Sequence, residues 1–192
     1  MATEYELKFR AIPRNLTEIE EAYPGNWTQM HMETAYYDTP NGGLSARRYT
    51  LRRRLENGVS VCTLKTPAGT ARNEWETECD TIAAAIPKLL AMGCPPELEM
   101  LVQEGLVHIC GAKFTRLSKV VTLEDCTVEL ALDRGELTGG GRTEPLCEIE
   151  AELKAGSQAA CDAFAGELAD RFGLQTEEKS KFRRALALYK GE

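Results

Sequence analysis

The chain has 192 residues, 43% of them hydrophobic, and carries a formal net charge of −7. This length and apolar content are typical of a single globular domain with a buried core and exclude an intrinsically disordered chain. The acidic excess argues against non-specific nucleic-acid binding, which requires a basic surface, so a phosphate ligand would need a local basic cluster, with or without a metal ion.

No segment of about 18 or more apolar residues marks a membrane span, and no apolar signal segment follows the N-terminus. These features predict a soluble cytoplasmic protein without membrane contact. The seven cysteines never form a CxxC pair, which favours neither a disulfide framework nor a zinc site. The two histidines, His31 and His108, lie outside any recognisable motif of nucleophilic catalysis.

The first predicted element is a strand with the sequence EYELKFR at residues 4–10. Its alternation places Glu4, Glu6 and Lys8 on one face and large apolar side chains on the other. A capping box that begins at Asn15 predicts a short helix next.

Three more alternating segments follow, at residues 50–55, 61–65 and 72–78. The Asn57-Gly58 pair between the first two predicts a β-hairpin. The first two segments have basic polar faces, whereas the polar face of the third is mainly acidic. The residues on these faces are Thr50, Arg52, Arg54, Thr63, Lys65, Arg72, Glu74, Glu76 and Glu78.

The middle of the chain predicts two helices and a further strand. Residues 81–93 have helical composition, although Pro87 predicts two short pieces or a kink. Pro96 predicts the start of a second helix. Residues 113–123 predict a strand that carries Lys113, Arg116 and Lys119.

Residues 128–135 and 147–154 alternate again, with acidic polar faces. The glycines at 139–141 predict a hairpin or a loose loop between them, because a phosphate-binding loop would need a following GK[ST]. Helices are predicted at 157–173 and 176–190. The polar residues of the two strands are Glu129, Asp133, Glu148, Glu150, Glu152 and Lys154.

This repeated alternation has two interpretations. The simpler one is an antiparallel sheet with one face in water. Against it, acidic and basic residues are segregated by strand, and carboxylates two residues apart lie only about 7 Å from each other. The alternative is an α+β fold in which about eight strands close into an antiparallel β-barrel, a tunnel with charged residues inside and helices packed outside.

A charged lumen of this kind would suit a polyphosphate bound with a metal ion. Carboxylates from the first strand and from residues 148–152 would form an oxygen site for Mg²⁺ or Mn²⁺. Arg52, Arg54, Lys65 and Arg116 would donate hydrogen bonds to phosphate oxygens.

The ordered motifs resemble those of the CYTH superfamily, the triphosphate tunnel metalloenzymes, and most closely its bacterial inorganic triphosphatase branch. The resemblance covers nearly the whole chain and predicts a single CYTH domain over residues 1–192, without the helical CHAD domain found in some relatives. The matching residues are Glu4-x-Glu6-x-Lys8, Tyr36-Tyr37-Asp38-Thr39, Leu51-Arg52-Arg53-Arg54, Thr63-Leu64-Lys65, Arg72-x-Glu74, Arg116, Glu129 to Gly135, Glu148-x-Glu150-x-Glu152-x-Lys154 and Ser180-Lys181.

The resemblance also implies roles for individual residues. The metal ligands would be Glu4, Glu6, Glu148 and Glu150. The substrate-binding residues would be Lys8, Arg52, Arg54, Lys65, Arg116 and Lys181, with a surface position as the alternative for Lys181. Lys8 and Lys65 would also activate water or neutralise charge during catalysis. Four acidic residues would contact and orient these side chains without binding the metal or the substrate themselves: Glu74, Glu129, Asp133 and Glu152.

Several side chains have a structural interpretation instead. Arg53 has the opposite parity and is predicted to point outward, and Asp38 is predicted to fix a turn. Tyr36, Tyr37 and Trp75 are predicted to be structural rather than to stack on substrate.

The resemblance predicts metal-dependent hydrolysis of inorganic triphosphate, releasing the terminal phosphate. The alternatives are hydrolysis of thiamine triphosphate or a nucleoside triphosphate, class IV adenylate cyclase activity, and non-catalytic binding of triphosphate or polyphosphate. The expected partner is a small triphosphate-bearing molecule, with no nucleic acid, and the sequence does not predict an oligomeric state.

Overall fold

The structure is a computed structural model that describes residues 5–68 and 71–192. Within these residues the chain has an α+β fold, and none of the helices there is long and apolar enough to cross a bilayer. The strands are β1 (Glu6–Arg10), β2 (Thr28–Asp38), β3 (Thr50–Glu56), β4 (Val59–Ala68), β5 (Ala71–Glu78), β6 (Val107–Thr122), β7 (Cys126–Gly139), β8 (Arg142–Gly156) and β9 (Gln175–Thr176). The helices are α1 (Pro13–Ala22), α2 (Gly43–Ala46), α3 (Ile82–Ala91), α4 (Glu97–Val102), α5 (Gln158–Phe172) and α6 (Lys181–Lys190).

The strands form one antiparallel sheet in the order β5-β4-β3-β2-β6-β7-β8-β1-β9. The closed eight-stranded barrel predicted from the sequence is therefore wrong, because among the described residues no ladder joins β5 to the other end of the sheet. The outer edge of β1, which a closing strand would need, is already occupied. Phe9 and Arg10 pair with β9, and the backbone N–H of Glu177 donates to the carbonyl of Lys8 at 2.8 Å.

Helices α1 to α5 cover the apolar face of the sheet, as the alternation predicts. Helices α1 and α5 pack on β1, β7 and β8 in a core that includes Ile19, Leu130 and Leu168. Helices α2, α3 and α4 pack on β3, β4 and β5. This second core contains Leu44, Leu51, Leu64, Trp75, Leu89 and Leu98.

Helix α6 lies on the opposite, polar face, so the prediction that all helices pack outside is wrong for this helix. Phe182 and Ala185 pack in a third core with Tyr36 and Phe114. The rings of Tyr36 and Phe182 lie 5.0 Å apart. Tyr36 shares its face with Arg52, its partner across the β2–β3 ladder. The last helix therefore brings side chains to the charged side of the sheet.

Two helices begin at residues that differ from the prediction. Helix α1 begins at Pro13 and contains Asn15, which the sequence pattern predicts as its cap. Helix α6 begins at Lys181 rather than at residue 176, because Thr176 pairs with β1 and Ser180 caps the helix. Thr176 therefore ends β9, and residues 177–180 connect this strand to the helix.

The turns follow the sequence signals closely. Asn57 and Gly58 both have positive φ and join β3 to β4, which confirms the first hairpin. The glycine segment 139–141 joins β7 to β8, which confirms the second. Helix α5 begins after its predicted cap Ser157, whose side chain accepts a hydrogen bond from the N–H of Ala160.

Gly135 allows β6 and β7 to approach each other closely. A Cβ atom at this position would lie 2.1 Å from the carbonyl oxygen of Lys113 and 2.5 Å from the Cα of Phe114. We expect Gly135→Ala to lower the free energy of unfolding by about 1–3 kcal/mol, because backbone atoms must shift to admit the methyl group. Urea denaturation followed by circular dichroism measures this change.

Gly166→Ala in α5 is the matched control, because no atom apart from its chain neighbours and the backbone of its own helix lies within 4 Å of the added Cβ. Alanine is favoured over glycine in a helix by up to about 1 kcal/mol, so this variant should be unchanged or more stable. Equal effects of the two substitutions would contradict the close approach at Gly135.

Candidate active site

The cross-strand register places the acidic strands on one common face. Residues directly opposite each other in an antiparallel ladder share a face of the sheet. Lys8 lies opposite Glu150. Glu148 lies opposite Asp133, which in turn lies opposite Arg116.

The basic strands continue the same face on the other half of the sheet. Along β2, Met30 lies opposite Arg116, and Thr34 lies opposite Arg54. Because residues an even number of positions apart in a strand share a face, Arg54 lies on the same side of the sheet as Arg116. The same alternation includes Arg52 in β3.

Three carboxylates form a buried acidic centre on this face. Asp133 and Glu148 are 0% exposed, and Glu150 is 9% exposed. Oxygens of all three residues lie within 4.8 Å of one another. The sequence predicts Glu148 and Glu150 as metal ligands and Asp133 as their support, whereas the structure places Asp133 directly beside the other two.

Lys181 reaches this centre from the first position of α6. Its Nζ lies 2.8 Å from Oδ2 of Asp133 and 2.6 Å from Oε1 of Glu150, and it also donates to Oε1 of Glu148. The residue is buried, so the alternative of a surface lysine does not hold. Burial lowers the pKa of its ammonium, but the three carboxylates outweigh burial and raise the pKa above its ordinary value.

Arg116 is the second cation at the centre. Its Nε and Nη2 each donate to Asp133 at 2.7 Å, and Nη2 also donates to Glu150. Burial lowers the pKa of the guanidinium, but its hydrogen bonds to Asp133 and the charges of both carboxylates raise the pKa above its ordinary value. The arginine predicted to bind phosphate thus also neutralises the acidic centre.

Glu148 and Glu150 respond to these surroundings in opposite directions. Burial raises the pKa of Glu148 above its usual range, although Lys181 opposes the rise. Burial would also raise the pKa of Glu150, but the charges of Lys181 and Arg116 outweigh it and hold that pKa well below the usual range. The two carboxyl groups are therefore electrostatically different although they lie two residues apart.

Three further residues, which the sequence patterns do not single out, join the cluster: Glu144, Glu177 and Arg184. Arg184 donates to Oε2 of Glu148 at 3.2 Å and to Oε1 of Glu144 at 2.6 Å. It also lies 3.9 Å from Oε2 of Glu177. The spacing of three residues between Lys181 and Arg184 places both on one face of a helix, and this is the signal that identifies Arg184.

The predicted ligands of the first strand lie apart from this centre or cannot be placed. Glu4 lies outside the described residues. Glu6 is exposed and pairs with the Nζ of Lys8 at 3.2 Å. Within the described chain, the group of carboxylates close enough to share a metal ion does not include Glu6.

Glu129 and Glu152, predicted to support the site, lie at its more exposed end. They are opposite each other in the β7–β8 ladder. Both approach the Nζ of Lys154, at 3.8 and 2.8 Å. The structure therefore pairs them with this lysine rather than with the buried centre.

On the basic side, Glu74 lies between Arg52 and Lys65. Its carboxylate is 3.1 Å from the Nζ of Lys65 and 3.7 Å from Nη2 of Arg52. The Nε of Arg52 is buried and makes no hydrogen bond within the described residues. A buried donor without a partner is costly and is suited to an anionic ligand.

Arg54 lies near two other arginines, and its Nη1 is 3.7 Å from Oε1 of Glu56. Burial, together with the charges of Arg52 and Arg116, lowers its pKa to about 10. Its Nε donates to Oγ1 of Thr34 at 3.1 Å. Three guanidinium groups thus approach one another on a single face, which favours binding of a polyanion.

Residues assigned structural roles from the sequence have contacts of that kind. Asp38 accepts hydrogen bonds from the backbone N–H groups of Thr39, Leu44 and Ser45, so it fixes the turn into α2. Arg53 lies on the other face of β3 from Arg52, and its Nε donates to Oγ of Ser60.

The sequence profile of the CYTH domain matches residues 2–186 of the chain. The chain belongs to the CYTH domain family. It is 27% identical over 165 residues to the inorganic triphosphatase of Haemophilus influenzae, and this match covers 82% of the chain and 47% of that protein. The chain thus spans about half the length of this curated relative.

Solved structures share the CYTH fold at low sequence identity. The Hippeastrum protein HpAC1 has a TM-score of 0.67 and 19% identity, covering 98% of this chain and 96% of its own. A protein from Bacillus halodurans assigned as an adenylate cyclase has a TM-score of 0.63 and 18% identity, covering 96% and 98%. PH1819 from Pyrococcus horikoshii OT3 has a TM-score of 0.61 and 22% identity, covering 95% and 98%. At these identities the similarity establishes the fold alone.

Arg116→Met tests the balance of charge at the acidic centre. The substitution leaves Asp133 and Glu150 with one fewer cation in a buried position. Removal of one partner from a buried ion pair costs about 3–5 kcal/mol, so we expect a loss of unfolding free energy of this size in metal-free buffer. Guanidinium chloride denaturation in the presence of EDTA measures it.

Lys113→Met is the matched control on the same strand. Lys113 pairs with Glu33 at 2.7 Å, but the two side chains are 68% and 52% exposed. An exposed pair contributes at most about 1 kcal/mol. A loss for Arg116→Met no larger than that for Lys113→Met would show that the centre does not need this cation.

Proposed function

We propose that the protein is a triphosphatase that hydrolyses inorganic triphosphate with Mg²⁺ or Mn²⁺ as its cofactor. The observation that carries this proposal is the single polar face, on which a buried carboxylate centre contacts Arg116 and shares its side of the sheet with Arg52 and Arg54. A polyphosphate bound with a divalent cation requires both kinds of group close together.

The donor set fits a hard divalent cation. Asp133, Glu148 and Glu150 offer carboxylate oxygens within 4.8 Å of one another, and such oxygens are the ligands that Mg²⁺ and Mn²⁺ prefer. These three residues would hold the ion, with Glu4 and Glu6 of the first strand as further ligands predicted from the sequence. When bound, the ion would neutralise phosphate charge as a Lewis acid.

The basic residues would bind and orient the phosphate chain. Among the described residues Arg52 has a buried donor without a partner, and burial together with the nearby arginines already lowers the pKa of Arg54. Both arginines would donate hydrogen bonds to phosphate oxygens, and Lys8, Lys65 and Arg116 would extend this lining. In phosphoryl transfer most catalysis comes from such positioning and charge stabilisation.

The reaction would be an in-line attack of water on the terminal phosphorus. The new P–O bond forms as the bridging P–O bond breaks, so that phosphate and pyrophosphate are released. Lys8 and Lys65 would neutralise the charge of the leaving group or assist removal of the proton from water. Glu74 would hold Lys65 in place through their 3.1 Å contact.

Relatives support this chemistry. The Haemophilus influenzae relative is named an inorganic triphosphatase. HpAC1, which shares the fold, is described as having a dominant triphosphatase activity. Both names agree with a site that combines carboxylates and arginines around a phosphate chain.

The direct test is a substrate panel with Mg²⁺ or Mn²⁺: tripolyphosphate, thiamine triphosphate, ATP and GTP, with phosphate and cyclic AMP both measured. We expect the highest kcat/KM for tripolyphosphate and no cyclic AMP. Glu148→Gln should lower kcat by about 100-fold or more, since it removes a charged group from the centre. Glu136→Gln, an exposed residue of β7, is the control and should retain full activity.

Other results would change the conclusion in defined ways. Preference for thiamine triphosphate or a nucleotide would identify that compound, rather than inorganic triphosphate, as the substrate. Production of cyclic AMP would indicate a cyclase. Tight tripolyphosphate binding without turnover would indicate a binding module. Full activity of Glu148→Gln would contradict the placement of the metal.

Arg52→Ala tests the phosphate-binding face. Loss of a hydrogen bond to a charged group costs about 1.5–3 kcal/mol, so the KM for tripolyphosphate should rise by about 10- to 100-fold. Metal affinity should be retained. The control is Arg53→Ala, which removes the same side chain from the opposite face of β3. An equal change in KM for both variants would contradict the assignment.

A further inference from the structure

Lys181 lies where a divalent cation would have to bind. Its Nζ contacts all three carboxylates of the centre, two of them at 2.6 and 2.8 Å. An ammonium group has three N–H donors, and here each can be directed to a different carboxylate. The side chain therefore occupies the same carboxylate oxygens that would bind a metal ion in the proposed site.

The two cations cannot share this position. A hard divalent cation binds carboxylate oxygens at about 2.0–2.6 Å, which is nearly the distance at which the ammonium now lies from the same residues. Two positive centres a few ångströms apart would repel each other strongly in a buried site. Binding of the ion therefore requires the ammonium to leave.

We propose that Lys181 is an internal cation that competes with the divalent metal and is released from the carboxylates when the metal binds. This inference rests on the proposed function, because that proposal supplies the metal site. Lys181 is then not a fixed phosphate ligand. It stabilises the metal-free centre and becomes available to the phosphate chain only once the metal is bound.

The position of Lys181 in α6 allows such a release. It is the first residue of the helix, directly after the cap Ser180. The remainder of the helix is held separately: Ala185 and Leu186 pack in the third core, and Arg184 keeps its contacts with Glu144 and Glu148. Phe182 packs in the third core as well, so release requires only that the Lys181 side chain and the cap at Ser180 rearrange while the rest of the helix stays in place.

The exchange of cations also couples the metal to the substrate. Replacing one positive charge at the centre by two adds one unit of positive charge there. The displaced ammonium remains on the same face as Arg54 and Arg116. Both changes favour a polyanion, so the metal and triphosphate should bind cooperatively.

The test measures Mn²⁺ binding to the full chain by isothermal titration calorimetry in the absence of substrate. We expect Lys181→Met to bind Mn²⁺ with a Kd lower by about tenfold or more than that of the unmodified protein, equivalent to about 1.4 kcal/mol. Arg184→Gln is the matched control: it removes one positive charge from Glu148 but not from the middle of the centre, and its Kd should change by less than about threefold, equivalent to about 0.65 kcal/mol. Lys181→Arg keeps the charge and should show no gain in affinity.

Hydrogen exchange of the unmodified protein provides a second measurement if Lys181→Met does not fold. The backbone N–H of Arg183 donates to Oγ of Ser180, and the backbone N–H of Arg184 donates to the carbonyl oxygen of Ser180. Mn²⁺ should speed exchange at these two amides and leave the amides of Ala185 to Leu188 unchanged. Unchanged exchange at Arg183 and Arg184 in Mn²⁺-bound protein would overturn the inference.

The outcomes separate this inference from the function on which it rests. If the unmodified protein binds no Mn²⁺, the proposed metal site fails and the inference fails with it. If the protein binds Mn²⁺ but Lys181→Met gains no more affinity than Arg184→Gln, competition by Lys181 is wrong while the proposed function stands.

Discussion

Burial of three carboxylates in one place is the constraint on which the rest of the site depends. Asp133 and Glu148 have no exposed surface, and ionised groups in such positions are strongly destabilising unless cations compensate them. Lys181 and Arg116 supply that compensation. The sheet contributes the carboxylates and Arg116, but Lys181 comes from the last helix. The acidic centre therefore requires α6 to lie on the polar face.

This requirement explains how the sheet and the helices are arranged. Five helices bury the apolar face, as in other sheets with one apolar side. The sixth is placed on the polar side by its own apolar residues, which pack on Tyr36 and Phe114, so that its first turn reaches the carboxylates. Pairing of β9 with β1 delivers the chain to this position and also occupies the edge that barrel closure would need. Residues 175–181 thus account both for the open sheet and for the position of α6 on the polar face.

The sequence predicted the shared polar face because alternation fixes which side chains point to the same side of each strand, and hairpin signals such as Asn57-Gly58 fix which strands are neighbours. Individual partners were not predictable in this way. Alternation does not reveal that Asp133 stands beside Glu148, since this depends on the register of two strands whose facing residues are both acidic. The position of Lys181 depended on the exact residue at which α6 begins. The open edge of the sheet depended on pairing with β9, a strand of two residues that is too short to show any alternation.

We propose that the carboxylate centre binds the metal ion of a metal-bound triphosphate while Arg52 and Arg54 bind its phosphates. The decisive test is a crystal structure of the unmodified protein soaked with Mn²⁺ and a non-hydrolysable triphosphate analogue. Anomalous scattering would locate the Mn²⁺ ion. We predict Mn²⁺ within about 2.0–2.6 Å of oxygens of Asp133, Glu148 and Glu150, with phosphate oxygens on Arg52 and Arg54. Mn²⁺ bound elsewhere, or an analogue that contacts neither arginine, would contradict it.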